Sequence, residues 1–308
     1  MTTDWSRSIG IDVPIVNAPM GGVAGGALAA AVSRAGGLGM VGMGSSATAE
    51  RLVVELQHVS KLDRPFGIGL VDWVAASRPD LLTTALAAAP ALLCVSFGET
   101  WEWVSHAHDA GVITATQVSD VASAERAVEA GVDVLIARGA EGGGHGQPLV
   151  GTLPLLTALL DRVPVPVLAG GGIGSGRGVA AVLAAGASAA WVGTAFCVCP
   201  ESLLCDKARA AMLAAGETDT VTTRVFDIAL GYPWPAQLPE RVLRNSFSDQ
   251  WDGDEAALSV DGGAAAELAK AIEAEDFSVA PINAGQGVGE LVEVRSVADV
   301  IAKLTTRD

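Results

Sequence analysis

The chain has 308 residues, 50% hydrophobic, 18% charged and 5% aromatic, which is enough apolar material for a large core and too few charges for disorder. Lys and Arg number 19 against 35 Asp and Glu, a formal charge of −16 that repels phosphate backbones and anionic headgroups; nucleic acid and membranes are therefore poor partners. Four cysteines do not make a secreted disulfide framework, and no basic region followed by an apolar run opens the chain, so the cytoplasm is the expected location.

From Val13 to Phe196 short β-branched runs alternate with Ala/Leu-rich helical windows, the pattern of parallel strands joined by helical crossovers. The predicted strands are Pro14–Asn17, Gly39–Met43, Phe66–Val71, Leu92–Phe97, Val112–Thr116, Val132–Ala137, Val165–Ala169 and Ala190–Phe196. Between them fall helices near Gly25–Ala35, Ala47–Leu62, Asp80–Ala89, Trp101–Asp109, Val121–Ala130, Leu153–Arg162 and Arg177–Ala185. Several helices end in Ala-Gly, a helix stop that a doubly wound open sheet would also use. Eight strands favour a (β/α)8 TIM barrel, an α/β fold. Two uncharged stretches, Val13 to Ser33 and Gly178 to Pro200, are long enough to span a membrane, but their Gly, Pro and mixed periodicity read as a helix and a strand end to end.

After Phe196 the pattern changes. Helices are expected at Leu203–Ala215 and Ala264–Glu275, separated by the Pro-rich Gly231–Pro239 segment, before a last helix at Val297–Leu304. Residues 200–289 thus read as a helical insertion or lid subdomain on a barrel formed by 1–199 and 290–308.

Three clusters carry chemistry. Ala169-Gly170-Gly171-Gly172-Ile173 follows the predicted seventh strand and Gly193-Thr194 belongs to the eighth, the two places where barrels of this class bind phosphate through backbone N–H groups. Glu141-Gly142-Gly143-Gly144-His145-Gly146 follows the sixth strand and sets a lone histidine on a glycine-rich loop at the active-site end; His145 is the catalytic candidate. Asn17-Ala18-Pro19-Met20-Gly21-Gly22 ends the first strand with small residues and a polarizable Met20 that suit contact with a flat ring. Cys197, Cys199 and Cys205 lack the ligand number and spacing of a zinc site, so no metal is expected, and Trp234, between two prolines, is the residue to watch as a lid.

In this order and spacing the clusters resemble the nitronate monooxygenase family, formerly called 2-nitropropane dioxygenases, which are FMN-dependent (β/α)8 barrels. The resemblance extends to Ala35-Gly36-Gly37-Leu38-Gly39, Pro65-Phe66-Gly67, Gly193-Thr194-Ala195-Phe196, Arg241-Val242-Leu243-Arg244-Asn245 and Gly285-Gln286-Gly287-Val288-Gly289. It implies that Ala18 and Met20 lie against the isoalloxazine and that Gly143 and Gly144 approach it by backbone. Gly171, Gly172, Gly193 and Thr194 would hold the ribityl phosphate, His145 would act as base or as hydrogen-bond donor to a nitro group, and Gln286 would stand near the substrate end. Two positions depart from the family's pattern: Gly69 replaces a frequent Asn, and Arg138 replaces the usual Gln before the sixth loop. Arg138 would set a cation at the flavin's pyrimidine edge or form a buried ion pair, while Thr116 and Gln117 could offer the ring polar contacts in compensation.

The leading expectation is an FMN oxidoreductase that oxidises alkyl nitronates or small nitro compounds with O2. The alternative on the same scaffold is an NAD(P)H-dependent quinone or enoyl-thioester reductase, and a third is a non-redox phosphosugar enzyme. A small-molecule substrate is expected in each case, and a homo-oligomer is compatible with the sequence.

Overall fold

The computed structural model describes residues 2–306. Its strands are β1 (Ile15–Asn17), β2 (Gly39–Gly42), β3 (Phe66–Val71), β4 (Leu92–Ser96), β5 (Ile113–Val118), β6 (Val134–Arg138), β7 (Gly144–His145), β8 (Val167–Gly170), β9 (Ala189–Val192), β10 (Thr220–Thr223) and β11 (Glu240–Leu243). Eight of them form one parallel sheet in the order β1-β9-β8-β6-β5-β4-β3-β2. The two ends of this sheet meet: the Asn17 amide donates to the Leu38 carbonyl at 3.2 Å and the Leu38 amide to the Ile15 carbonyl at 2.9 Å. The result is the expected (β/α)8 barrel, with all but one of its helices in the expected crossovers and the last, Val297–Thr305, packed between Gly26–Arg34 and Gly176–Ala184.

Alternation along the strands sorts the core into two layers. Val16, Met40, Leu92, Cys94, Ala115, Val134, Ile136, Leu168 and Trp191 fill the barrel, and Trp5, Ile9 and Ile11 pack against the same cluster from the N-terminal segment. The intervening residues, among them Ile15, Val41, Leu93, Val95, Leu135 and Ala169, pack outward against the helices.

The seam between β1 and β2 is shared by one buried side chain. Asn17 Oδ1 accepts from the Met40 amide at 2.7 Å and Asn17 Nδ2 donates to the Met40 carbonyl at 3.0 Å, so the side-chain amide stands in for a stretch of backbone ladder. Asn17 is fully buried, and both Met40 groups would be orphaned without it.

Two expectations need correction. The eighth barrel strand ends at Val192 and not at Phe196, because its partner β1 ends opposite it at Asn17; Thr194–Cys197 turns instead into a short helix. Residues 200–289 are not only helical: β10 and β11 pair antiparallel, and β11 pairs with β7 from the loop after β6. β10 and β11 find each other across a helix and the Pro-rich segment, and β11 finds a second partner on the barrel loop, pairings that local periodicity cannot reveal. The uncharged stretches fold as β1 with the helix Gly26–Arg34 and as the end of the helix Gly176–Ala184 with β9, and no helix among the described residues is long and apolar enough to cross a membrane. Residues 1, 307 and 308, assigned to the barrel above, lie outside the described residues.

Asn17→Ala leaves two buried backbone groups unpaired and should lower the unfolding free energy by on the order of 3 kcal/mol, read from denaturant midpoints. A loss below about 0.5 kcal/mol would show that the seam does not depend on it.

Candidate active site

A cavity of about 500 Å³ opens at the C-terminal ends of the barrel strands. Ala18, Met20, Gln117, Arg138, Gly143, Gly144, His145, Gly171, Gly172, Gly193 and Thr194 all line it. Gln286 does not: it is exposed, its amide donates to the Glu141 carbonyl at 3.0 Å, and its neighbours Gly285 and Gly287 reach the cavity in its place. Thr116 is also turned away, its hydroxyl donating to the Val95 carbonyl at 2.7 Å. Gly69 has a steric reason, since a Cβ there would lie 2.2 Å from the Pro19 ring.

The loop after β6 is folded around a guanidinium. Arg138, buried at the end of β6, donates from Nη2 to the carbonyls of Gly142, Gly143 and Gly144 at 2.9, 3.1 and 2.9 Å, and from Nη1 to that of Gly139 at 3.4 Å. Among the described residues it has no ion-pair partner, which removes the expected buried ion pair; carbonyl dipoles compensate the charge instead. Burial first and then Arg241 bring its pKa down to about 10, still charged at neutral pH. A Cβ on Gly146 would meet this guanidinium at 2.4–2.5 Å, so the wrap requires glycine there.

The wrapped loop delivers His145 as the last residue of β7, directly across the ladder from Glu240. Its Nε2 lies 2.9 Å from Asp227 Oδ2, on the helix Val225–Leu230. One face of the imidazole is stacked by Trp234, with ring centroids 3.6 Å apart and planes 8° from parallel. Trp234 is itself held: Nε1 donates to Ser45 Oγ at 3.1 Å, and Trp73 and Phe97 meet its ring edge-on at 5.7 and 5.2 Å. Glu240 is 5% exposed, and burial, then the Asp227 charge, push its pKa up to about 8.

Beside this loop, the backbone N–H groups of Gly171, Gly172 and Gly193 make no hydrogen bond within the described residues. Gly171 and Gly172 have φ of +121° and +66°, conformations that favour glycine and that turn the chain between β8 and the helix Gly176–Ala184. The Thr194 hydroxyl accepts from the Gly285 amide at 3.0 Å and keeps its own proton to donate. Unpaired backbone donors and a free hydroxyl proton are what an anion-binding cradle requires. Met20 is fixed beside it by Cys197, whose Sγ lies 3.4 Å from Met20 Sδ and whose thiol burial pushes up to about 12. Glu141, the acid that the sequence placed at this mouth, is occupied in accepting from the Thr152 amide and hydroxyl at 2.9 Å each.

Asp227, Glu240 and Phe97 line the cavity although the sequence did not mark them. The two acids lie in no motif, and only the short alternations at Thr220–Thr223 and Glu240–Leu243 hint at a sheet that could bring them in.

Gly146→Ala should displace the guanidinium and misplace His145. We expect a fall in activity of at least tenfold with the melting temperature nearly kept, against wild-type activity if the wrap is unimportant. Glu240 gives a second expectation. Folded, it holds its proton up to about pH 8, whereas the ordinary carboxyl value is 4.5, so the native state binds more protons between these limits and stability falls as pH rises through them. Urea midpoints should therefore show Glu240→Gln gaining on the wild type from pH 5 to pH 8; a constant gap would contradict this.

A family model described as nitronate monooxygenase matches residues 3–81 and 80–307. The chain is 32% identical over 248 residues to the (3aS,4S,5R,7aS)-5-hydroxy-7a-methyl-1-oxo-octahydro-1H-indene-4-carboxyl-CoA dehydrogenase of Rhodococcus jostii (strain RHA1), covering 80% of this chain and 67% of that one. To the nitronate monooxygenase of Pseudomonas aeruginosa (strain PAO1) it is 35% identical over 252 residues, covering 66% and 71%. The nitroalkane oxidase structure from Streptomyces ansochromogenes superposes with a TM-score of 0.83 at 28% identity, covering 97% and 96%. The barrel agrees with the structural likeness, and the chain is an enzyme of the nitronate monooxygenase family.

Proposed function

We propose that the chain is an FMN-dependent oxidoreductase that oxidises alkyl nitronates and similar small nitro compounds with O2. The observation that carries this reading is the juxtaposition of an Asp227-bound His145 with a glycine cradle of unpaired N–H donors in one cavity. The residues present fit the cofactor: Gly171, Gly172, Gly193 and Thr194 would hold its phosphate, and Ala18, Met20, Gln117, Gly143 and Gly144 would face its ring. When bound, FMN supplies the redox centre that accepts electrons from the substrate and passes them to O2.

The chain's own work is to bind, orient and move a proton. With the Nε2 proton donated to Asp227, the lone pair of His145 sits on Nδ1, ready to take a proton from a nitroalkane carbon; protonated, the same atom donates to a nitro oxygen. Asp227 and the stacked Trp234 fix the plane of the imidazole, so little orientation is left to be lost on substrate binding. Arg138 presents a permanent cation at the cavity wall, which favours anionic forms of ring or substrate beside it. The cytoplasm is the proposed location.

A second reading, an NAD(P)H-linked reductase or dehydrogenase of a thioester, is favoured by the likeness to a carboxyl-CoA dehydrogenase and by Glu240, a protonated acid that such chemistry can use. Anaerobic mixing of the FMN-loaded enzyme separates the two. Bleaching of the visible absorbance by an alkyl nitronate but not by NADH is expected, and His145→Ala should keep the absorbance while kcat/KM falls by about 10²–10⁴. Bleaching by NADH with none by nitronate would overturn the first reading in favour of the second.

A further inference from the structure

Glu240 is a buried titratable group that the nitronate reading leaves without a part. It opens β11 opposite His145, and one side-chain nitrogen or oxygen from each of His145, Asp227 and Glu240 falls within 4.8 Å of the others. The carboxyl lines the cavity and has no hydrogen-bond partner among the described residues. Among the described residues no lysine or arginine pairs with it. Across the ladder on β10 stands Thr223, whose hydroxyl donates to Asp252 at 3.0 Å. Arg241, next along β11, turns to the Ala140 carbonyl and to Thr220 Oγ1, and Arg138 is spent on the loop carbonyls. The ionisable groups that face Glu240 are therefore Asp227, from the helix Val225–Leu230, and His145, from β7.

We propose that Glu240 works as a neutral carboxylic acid that lets the His145–Asp227 pair accept an anionic nitro group, and that its ionisation closes the site to such substrates. The inference rests on the nitro-compound reading. A protonated imidazole beside the Asp227 carboxylate forms a pair of zero net charge, next to which a nitronate can sit. A second carboxylate within 4.8 Å makes the trio net negative, and that charge repels an anion. The neutral acid also offers an O–H to a nitro oxygen, which the carboxylate cannot. Burial and the Asp227 charge hold the acid form up to about pH 8, which places the change just above neutrality.

The test uses the FMN-loaded enzyme with two probes: inorganic nitrite, an anion whose binding needs no turnover, and an alkyl nitronate. The infrared carbonyl band of a protonated carboxylic acid should be present at pH 7, disappear as pH passes about 8, and be missing in Glu240→Gln. Above that pH the nitrite dissociation constant and the nitronate KM should rise about tenfold per pH unit in the wild type, with kcat little changed, and stay level in Glu240→Gln. Asp227→Asn should move loss of the band to lower pH, which keeps the assignment testable if Glu240→Gln does not fold. A wild type without the band at pH 6, or the same alkaline weakening of nitrite in Glu240→Gln, overturns the proposal. Nitrite binding that follows the band in an enzyme that does not turn over nitronate would keep the charge role and overturn the substrate reading.

Discussion

One guanidinium organises the active-site end of this molecule. Arg138 is buried without a carboxylate partner, and the carbonyls of Gly139, Gly142, Gly143 and Gly144 converge on it. Desolvating a cation is costly unless dipoles replace its water, and here the replacement comes from the backbone of the loop that must carry the histidine. The arrangement ties two requirements together. The loop needs glycine to wrap so closely, and once wrapped it is stiff enough to present β7 as a strand for β11. Through that pairing the segment beyond the barrel gives His145 two carboxyl groups and an aromatic cover.

The barrel supplies a rigid floor for this. Its interior is filled by apolar side chains, and its seam is closed by an asparagine whose amide imitates backbone. The strand ends above are then free to be small: Gly69 yields to Pro19, and Gly171 and Gly172 expose N–H groups to the cavity. Such glycine-rich ends give up packing, which the filled core below can carry. Stability and chemistry are thus divided between the two ends of the same strands.

Much of this was legible in the sequence because barrel strands and their helices are set by local periodicity. The β-branched runs predicted all eight barrel strands, with the eighth running too long since its end is decided by a partner strand. The glycine motifs at Gly143–Gly144, Gly171–Gly172 and Gly193–Thr194 pointed to the cavity, because backbone approach demands glycine whatever the rest of the fold does. Asp227 and Glu240 were not legible: a lone acid acquires meaning only from what faces it, and what faces these two is a loop about 80 to 95 residues earlier. The position of Arg138 was legible but its partners were not, as they are carbonyls common to every residue. Gln286 misled for the opposite reason, since its motif reaches the cavity through the glycines on either side of it.

The central claim is that one cavity holds both a flavin phosphate, on backbone donors, and the Asp227-bound His145. A crystal structure of the FMN-loaded protein tests it most directly. The account predicts phosphate oxygens within hydrogen-bond distance of the Gly171, Gly172 and Gly193 amides, with the ring between Met20 and the His145 loop and the His145–Asp227 bond intact. A phosphate seated elsewhere, or a ring that leaves His145 on the far side of the protein from the reacting face, would contradict it.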